Sequence, residues 1–189
     1  VTFGSANNFL KIGPRTIALW AQLLNAVPDA RLKLRSFRLF AAAQARAHVE
    51  SLFAAHGIDP TRLSLVGPAG DGADVFGFYC DVDVALDPLV YNGTTTTCEA
   101  LWMGVPVVSR AGDRHAARVG ASLLAAVGRH DQVAETDSAY LEIAVRLASE
   151  NPPPRARLRE QMAMSALVDA RLFGKRWLDA VEAGLAQAG

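Results

Sequence analysis

Residues Asp83–Val108 read DVALDPLVYNGTTTTCEALWMGVPVV, and this stretch decides the fold. Val82–Leu86 is a compact apolar strand closed by Asp87-Pro88. Asn92-Gly93 supplies a tight turn that brings backbone close to a ligand. Thr95–Met103 reads as a helix and Val105–Val108 as the next strand. Four consecutive threonines, Thr94–Thr97, are β-branched and suit a helix interior poorly. At a helix N-terminus they make sense, because free backbone N–H groups and the positive end of the dipole attract an anion there. Their hydroxyls add donors that rotate toward phosphate oxygens. Glu99 lies one turn into the helix, where a carboxylate can accept hydrogen bonds from a ribose diol, as the acidic residue of dinucleotide-binding folds does after their second strand. The competing reading is that the threonines cap a helix and Glu99 complements its dipole; four in a row exceed what capping requires.

Outward from this stretch the same alternation continues. Val1–Phe3 is a short strand, and Pro14 opens a helix carrying Ile17, Leu19, Trp20, Leu23, Leu24 and Val27 at helical spacing. Arg31–Ser36 alternates basic and apolar residues as a strand. Ala41–His56 is helical with Gly57 as its cap, and Leu63–Val66 is another strand. Asp74–Tyr79 reads as a short helix, Ala116–Val127 as a helix ended by Gly128, and Gln132–Ala134 as a last short strand. Ser138–Ser149 is a helix with Ser138 as N-cap, and helices over Arg155–Met164 and Arg171–Ala186 follow three prolines. Short strands alternating with longer helices imply an α/β fold: a Rossmann-like parallel sheet of about six strands with helices on both faces. The loops after the strands then share one edge, where ligands bind.

The 189 residues suit one domain, and 51% hydrophobic residues permit a sizeable core. The 19 basic and 19 acidic residues cancel, which excludes the global basic field of a nucleic-acid binder; any phosphate site is local. Cys80 and Cys98 are too few for a disulfide framework and their spacing is not a metal pattern, which fits a reduced cytoplasmic compartment. No apolar run approaches the ~20 residues needed to span a bilayer. Val1-Thr2-Phe3 reads as a strand already under way, so the chain is expected to be a piece of a longer protein.

Other residues read as structural. Trp20 and Trp102 sit at core spacing, His115 is a helix-start histidine, and His48, His56 and His130 are too scattered for a metal site. The basic residues Arg31, Lys33, Arg35 and Arg38 fit strand positions turned to solvent, and Arg155, Arg157 and Arg159 a solvated helix face. Arg118 either reaches the cleft or pairs with Asp113 or Asp87. Leu178, Val181 and Leu185 give the last helix an apolar stripe that needs a partner.

Tyr91–Thr97 together with Glu99–Val108 resembles the signature of the O-GlcNAc transferase and SPINDLY-like family, glycosyltransferase family 41. Gly112–Ser122 matches the block that follows in that family, and Asn7–Ile12, Leu19-Trp20-Ala21 and Val27-Pro28 match the beginning of its second catalytic half. The resemblance covers nearly the whole chain. It implies the C-terminal half of a GT-B fold: one nucleotide-sugar-binding domain over 1–189, with 155–189 as C-terminal helices. An upstream acceptor-side domain, and tetratricopeptide repeats before it, would lie outside the chain.

By the same resemblance Lys11 faces the diphosphate as the catalytic cation that neutralises the leaving group, and Asn8 lies near the phosphates. Thr94, Thr95 and Thr96 hold the phosphates, Glu99 binds the ribose, and the backbone around Pro68 and Ala69 sits near the base. Two departures concern the base: Val75 stands where some relatives have a histidine, and Gly67–Gly77 carries four glycines.

The implied reaction moves a sugar with inversion, GlcNAc from UDP-GlcNAc, to a Ser or Thr hydroxyl of a protein. GDP-fucose is the alternative donor. A non-hydrolysing sugar-nucleotide epimerase or a non-catalytic nucleotide-sugar sensor are the readings from other classes. No organic cofactor and no metal are required if Lys11 and the helix N-terminus carry the charge. The expected partners are the nucleotide sugar, a protein acceptor and the upstream half.

Overall fold

The computed structural model describes residues 1–36, 38–67, 75–149 and 154–188. Six strands form one sheet: β1 (Thr2–Ser5), β2 (Arg31–Arg35), β3 (Leu63–Val66), β4 (Val84–Leu86), β5 (Val107–Arg110) and β6 (Val133–Ala134). Their order is β3-β2-β1-β4-β5-β6 and every pairing is parallel. The central register sets Phe3 opposite Val84 and Gly4 opposite Ala85. Seven α-helices are described: α1 (Pro14–Ala26), α2 (Ala43–Ala54), α3 (Thr95–Trp102), α4 (Val119–Ala126), α5 (Asp137–Ser149), α6 (Arg155–Ala163) and α7 (Ala170–Ala188).

The pleat splits the apolar residues between two cores. Phe3, Leu32, Leu34, Val84, Leu86 and Val108 pack with α1, α2 and α5, around Trp20, Phe53 and Tyr140. Ala85 and Val107 face the other way, toward Leu101 of α3, Leu124 of α4 and Leu158 and Met162 of α6. Both faces being covered, β4 is apolar throughout, as parallel strands buried on both sides are, whereas β2 still alternates basic and apolar residues. A polar chain crosses the first core: Trp20 Nε1 donates to Tyr140 Oη at 3.2 Å, and that hydroxyl donates to the Asp87 carbonyl at 3.1 Å. It fixes α1 and α5 against the end of β4.

Several expectations are corrected. β5 begins at Val107 rather than Val105, because Val105 N–H turns back to the Ala100 carbonyl and Pro106 has no N–H to pair. Helix α5 begins at Asp137, and its first turn is capped by Thr136, whose hydroxyl oxygen accepts from Ala139 N at 3.1 Å; Ser138 instead donates to Glu142 at 2.9 Å. The β2 cations do not all face solvent: Arg35 is 6% exposed, and Lys33 donates to the Phe78 carbonyl and to Asp81. Arg155, Arg157 and Arg159 are exposed as expected, but Arg155 also acts as a staple, its guanidinium donating to the carbonyls of Tyr79 (2.8 Å) and Val82 (2.7 Å), and Arg159 lies over the Trp102 ring at 4.8 Å. The short helix expected over 74–79 is a 3₁₀ turn at Gly77–Asp81, and Asp74 lies outside the described residues. On α7, Phe173, Trp177, Leu178, Val181 and Leu185 stand exposed. No helix among the described residues is long and apolar enough to cross a membrane.

Helix α3 stops at Gly104, whose φ of 71° is the left-handed region, and a Cβ there would meet the Arg155 carbonyl oxygen. Gly128 has a similar φ of 73°, and a Cβ added there would meet nothing within 4 Å. Gly104→Ala is therefore expected to destabilise the fold by more than Gly128→Ala, the latter costing about 1–2 kcal/mol for backbone strain alone. Urea unfolding of the two variants measures the difference; equal losses would mean that α6 yields freely around Gly104.

Candidate functional site

Strands β1 and β4 are neighbours in the sheet but their following segments run to opposite sides, so the chain parts between their carboxyl ends. In open α/β sheets that is where ligands bind. The loop after β1 carries Ala6–Asn8 and a 3₁₀ turn at Phe9–Lys11; the loop after β4 carries Asp87–Thr94 and runs into α3.

The second loop is fixed by Asp87, which is 1% exposed. Its carboxylate accepts from Gly93 N–H at 2.6 Å through Oδ1 and from the Ser109 hydroxyl at 2.6 Å through Oδ2. Burial pushes the Asp87 carboxyl up to about 7, against the pull of those two donors and of the Lys11 charge. Asn92, fully buried, donates through Nδ2 to the Pro88 carbonyl at 2.8 Å and accepts through Oδ1 from Gly120 N–H at 3.2 Å. Gly93 cannot carry a side chain: a Cβ would meet the Thr96 hydroxyl, the Thr97 hydroxyl (2.8 Å) and Asn7 Oδ1 (2.9 Å).

Lys11 reaches across 81 residues of sequence to this loop. Its Nζ donates to the Asn92 carbonyl at 3.1 Å and lies 4.0 Å from the centre of the Tyr91 ring. Partial burial lowers the Lys11 pKa, and the Asp87 charge opposes that shift. The ammonium thus stands immediately before the N-terminus of α3. Thr94 is the N-cap residue, with no side-chain capping bond, and Thr94 and Thr95 are exposed. The first N–H groups of α3 have no partner within the helix, by position. Thr96 is half-buried; its hydroxyl donates to Asn7 Oδ1 at 3.1 Å, while Thr97, buried, donates to the Gly93 carbonyl at 3.2 Å. Asn8 is exposed and its Oδ1 caps the 3₁₀ turn by accepting from Leu10 N–H at 3.1 Å. Asn8 borders a cavity of about 570 Å³ shared with Ala6, Leu10 and Arg35.

Glu99 sits half-buried one turn along α3. Tyr79 Oη donates to its Oε2 at 3.2 Å, and Arg35 Nη2 lies 3.6 Å from the same oxygen. Burial raises the Glu99 pKa, while the Tyr79 hydrogen bond and the Arg35 charge work against it. Pro68 and Ala69, the expected base contacts, lie outside the described residues. Val75, in the position expected to lack the histidine, offers its carbonyl to Arg35 Nη1 at 2.7 Å. Arg118 donates to the Gly112 carbonyl at 3.0 Å rather than pairing with Asp113 or Asp87. With Thr94, His115 and Ser122 it borders a second cavity of about 730 Å³. Among the described residues no group of three or more His, Cys, Asp or Glu side chains could hold a metal ion.

The structure therefore brings Lys11 to the threonine turn and places Glu99 on the same helix. Sequence reasoning read Asn92 as a turn residue only and passed over Asn7, Ser109, Tyr79 and Arg35 as site residues. Asn7 beside Asn8 directly after a strand was a usable signal for a loop anchor; nothing local marks Tyr79 or Arg35, which act from separate elements.

The buried carboxyl yields a pH signature. A group whose pKa is raised on folding favours the folded state below its unfolded pKa, and that contribution is lost as pH rises to the folded value. For Asp87 the window runs from about 4 to about 7. Asp87→Asn should remove this loss, so that the variant gains about 1–4 kcal/mol relative to wild type between pH 4 and pH 8. Guanidinium unfolding at the two pH values checks it, and a constant difference between the proteins would show that Asp87 does not titrate in this range.

Comparison with known proteins places the chain among its relatives. The Petunia hybrida protein named "Probable UDP-N-acetylglucosamine--peptide N-acetylglucosaminyltransferase SPINDLY" is 42% identical over 176 residues, covering 92% of this chain and 19% of that protein. The UDP-N-acetylglucosamine–peptide N-acetylglucosaminyltransferase of Caenorhabditis elegans is 33% identical over 188 residues, covering 94% of this chain and 16% of its own length. The chain thus spans about a fifth of the curated relatives it matches. Among solved structures, a mutant O-GlcNAc transferase of Thermobaculum terrenum superposes with a TM-score of 0.78 at 37% identity, over 95% of this chain and 32% of that one. A sucrose-phosphate synthase of Thermosynechococcus elongatus shares the fold alone, at 17% identity and a TM-score of 0.64. The family model of glycosyl transferase family 41 matches residues 1–177, and the chain belongs to that family.

Proposed function

We propose that this domain binds the nucleotide diphosphate of a sugar donor between the loops after β1 and β4, as part of an inverting glycosyltransferase. Its parent protein passes GlcNAc from UDP-GlcNAc to a protein Ser or Thr hydroxyl. The observation that carries the reading is the Lys11 ammonium held at the Asn92 carbonyl, immediately before the free N-terminus of α3. Lys11 and the first N–H groups of α3 receive the diphosphate, with the Thr94, Thr95 and Thr96 hydroxyls beside them. Glu99 receives the ribose hydroxyls. The names of the relatives support the donor and the acceptor class.

In transfer, the bond from the anomeric carbon to the diphosphate oxygen breaks as the acceptor hydroxyl attacks, and negative charge grows on the leaving phosphate. A cation fixed at that oxygen is worth more in the transition state than in the ground state, which is the condition for raising kcat. Lys11 is anchored before substrate arrives, so little reorganisation is needed when charge develops.

Calorimetry with UDP and GDP tests the site on this chain. Binding of at least one is expected, and Lys11→Ala should weaken it by about 1.5–3 kcal/mol, the scale of a hydrogen bond to a charged group. In the parent enzyme Lys11→Ala should lower kcat by about 10²–10³ with a much smaller change in KM. Lys11→Arg should restore little, because a planar fork does not occupy the ammonium's position. A near-normal kcat in Lys11→Ala would return Lys11 to a structural role. Transfer is also expected to persist in excess EDTA; its abolition would add a metal to the diphosphate site.

A further inference from the structure

Glu99 is gripped on one side only. Both of its contacts among the described residues fall on Oε2, from the Tyr79 hydroxyl at 3.2 Å and Arg35 Nη2 at 3.6 Å. Tyr79 is 1% exposed, and its hydroxyl is shared with the Thr96 carbonyl at 2.9 Å. The phenol therefore ties the carboxylate to the first turn of its own helix. Arg35 is equally constrained: Nη1 donates to the Val75 carbonyl at 2.7 Å, and the guanidinium lies 5.0 Å from the Phe78 ring centre. A planar fork locked at its other arm presents Nη2 in one place. Glu99 on an otherwise open helix face would sample several rotamers, each lost on binding a ligand. Here that freedom is already gone, and Oε1 is the oxygen left to a ligand.

We propose that Arg35 and Tyr79 are positioning residues that set how strongly the site distinguishes a ribonucleotide from its 2′-deoxy counterpart, by pinning Glu99 through Oε2 so that Oε1 meets the ribose hydroxyls. The inference rests on the reading of Glu99 as the ribose ligand. A pinned, half-buried acceptor penalises a ligand lacking the hydroxyl, because the site's polar group is then left without a partner. A loose carboxylate turns to water instead and discriminates weakly. The arrangement also links the ribose position to Val75, since Arg35 holds both Glu99 and the Val75 carbonyl.

A purely structural role for the pair makes a different prediction. If Tyr79 and Arg35 only neutralise a half-buried carboxylate, their loss weakens every ligand alike. The experiment is calorimetry of the 189-residue chain with UDP, 2′-deoxy-UDP, GDP, 2′-deoxy-GDP and inorganic pyrophosphate. It compares wild type with Tyr79→Phe, Arg35→Lys and Glu99→Ala, each checked for folding by thermal melting. Tyr79→Phe removes one oxygen from a packed ring, and Arg35→Lys keeps the charge but gives up the fork, so either variant carries the test. Wild type is expected to prefer the ribonucleotide of whichever base binds. Tyr79→Phe and Arg35→Lys should each lower that preference about three- to tenfold, the scale of one hydrogen bond, and leave pyrophosphate affinity unchanged. Loss of the preference in Glu99→Ala, with full preference kept in the other two, would overturn the positioning role and leave the ribose reading standing. An undiminished preference in Glu99→Ala, or none in wild type, would overturn the ribose reading and this inference with it. Equal weakening of all five ligands in Tyr79→Phe would reduce the pair to structure.

Discussion

A buried carboxylate with two donors aimed at it, Asp87 between Gly93 N–H and the Ser109 hydroxyl, gives the cleft its shape. Burying a carboxylate is costly unless its oxygens are satisfied, and each donor comes from a different element. One is the turn before α3 and the other is β5. The carbonyl of the same residue accepts from Tyr140, which holds Trp20 in turn, so helices on the far face are locked to the same point. Gly93 then stands where Asp87 puts it, and Asn92 beside it offers its carbonyl to Lys11. The position of the Lys11 cation at the Asn92 carbonyl follows from the position of a carboxylate with which it forms no ion pair.

The charges of the site are local because the chain as a whole is neutral. Lys11 sits on a carbonyl and an aromatic face rather than on a carboxylate, which leaves its charge uncompensated at short range for an anionic ligand. Glu99, by contrast, already has a cation and a phenol on one oxygen. A diphosphate and a ribose need opposite treatment. The first suits an ammonium that is not spent on an internal ion pair, the second a carboxylate held still by its neighbours. On the proposed reading, Lys11 and Glu99 supply these separately at the two sides of the first turns of α3.

Much of this was legible in the sequence. The threonine run, the Asn92-Gly93 turn and the strand on either side follow from β-branching, turn chemistry and apolar period, all of which act over a few residues. Lys11 was found through its resemblance to a family motif, since a lone lysine near a turn carries no local signal. What stayed hidden acts at long range. Arg35 sits in an alternating strand that looks half solvated, yet β2 lies inside the sheet and the side chain is buried against Phe78 and Glu99. Arg155 sits in a run of arginines that reads as a wet helix face, yet it seals two carbonyls before β4. The cap of α5 lies at Thr136 rather than Ser138 because the helix begins at Asp137, which puts Ser138 inside the first turn and the Thr136 hydroxyl at the Ala139 N–H. For both arginines the deciding partner lies in another element, and no window of sequence contains both; the shift of the α5 cap is local.

The order of strands has a consequence for how the chain is made. β1 is the first strand synthesised in this chain and one of the two central strands of the finished sheet. Its pairing with β2 can form early, but its other edge waits for β4, with Phe3 and Val84 separated by most of the first half of the chain. Parallel pairings of such span are slow to form, and until they do an unpaired edge is open to the wrong neighbour. The last long-range pairing at the sheet centre is also the one that creates the gap between the loops. The gap between these loops therefore cannot form before β4 has been made and has paired with β1, so it is a product of that long-range pairing rather than a feature carried into it.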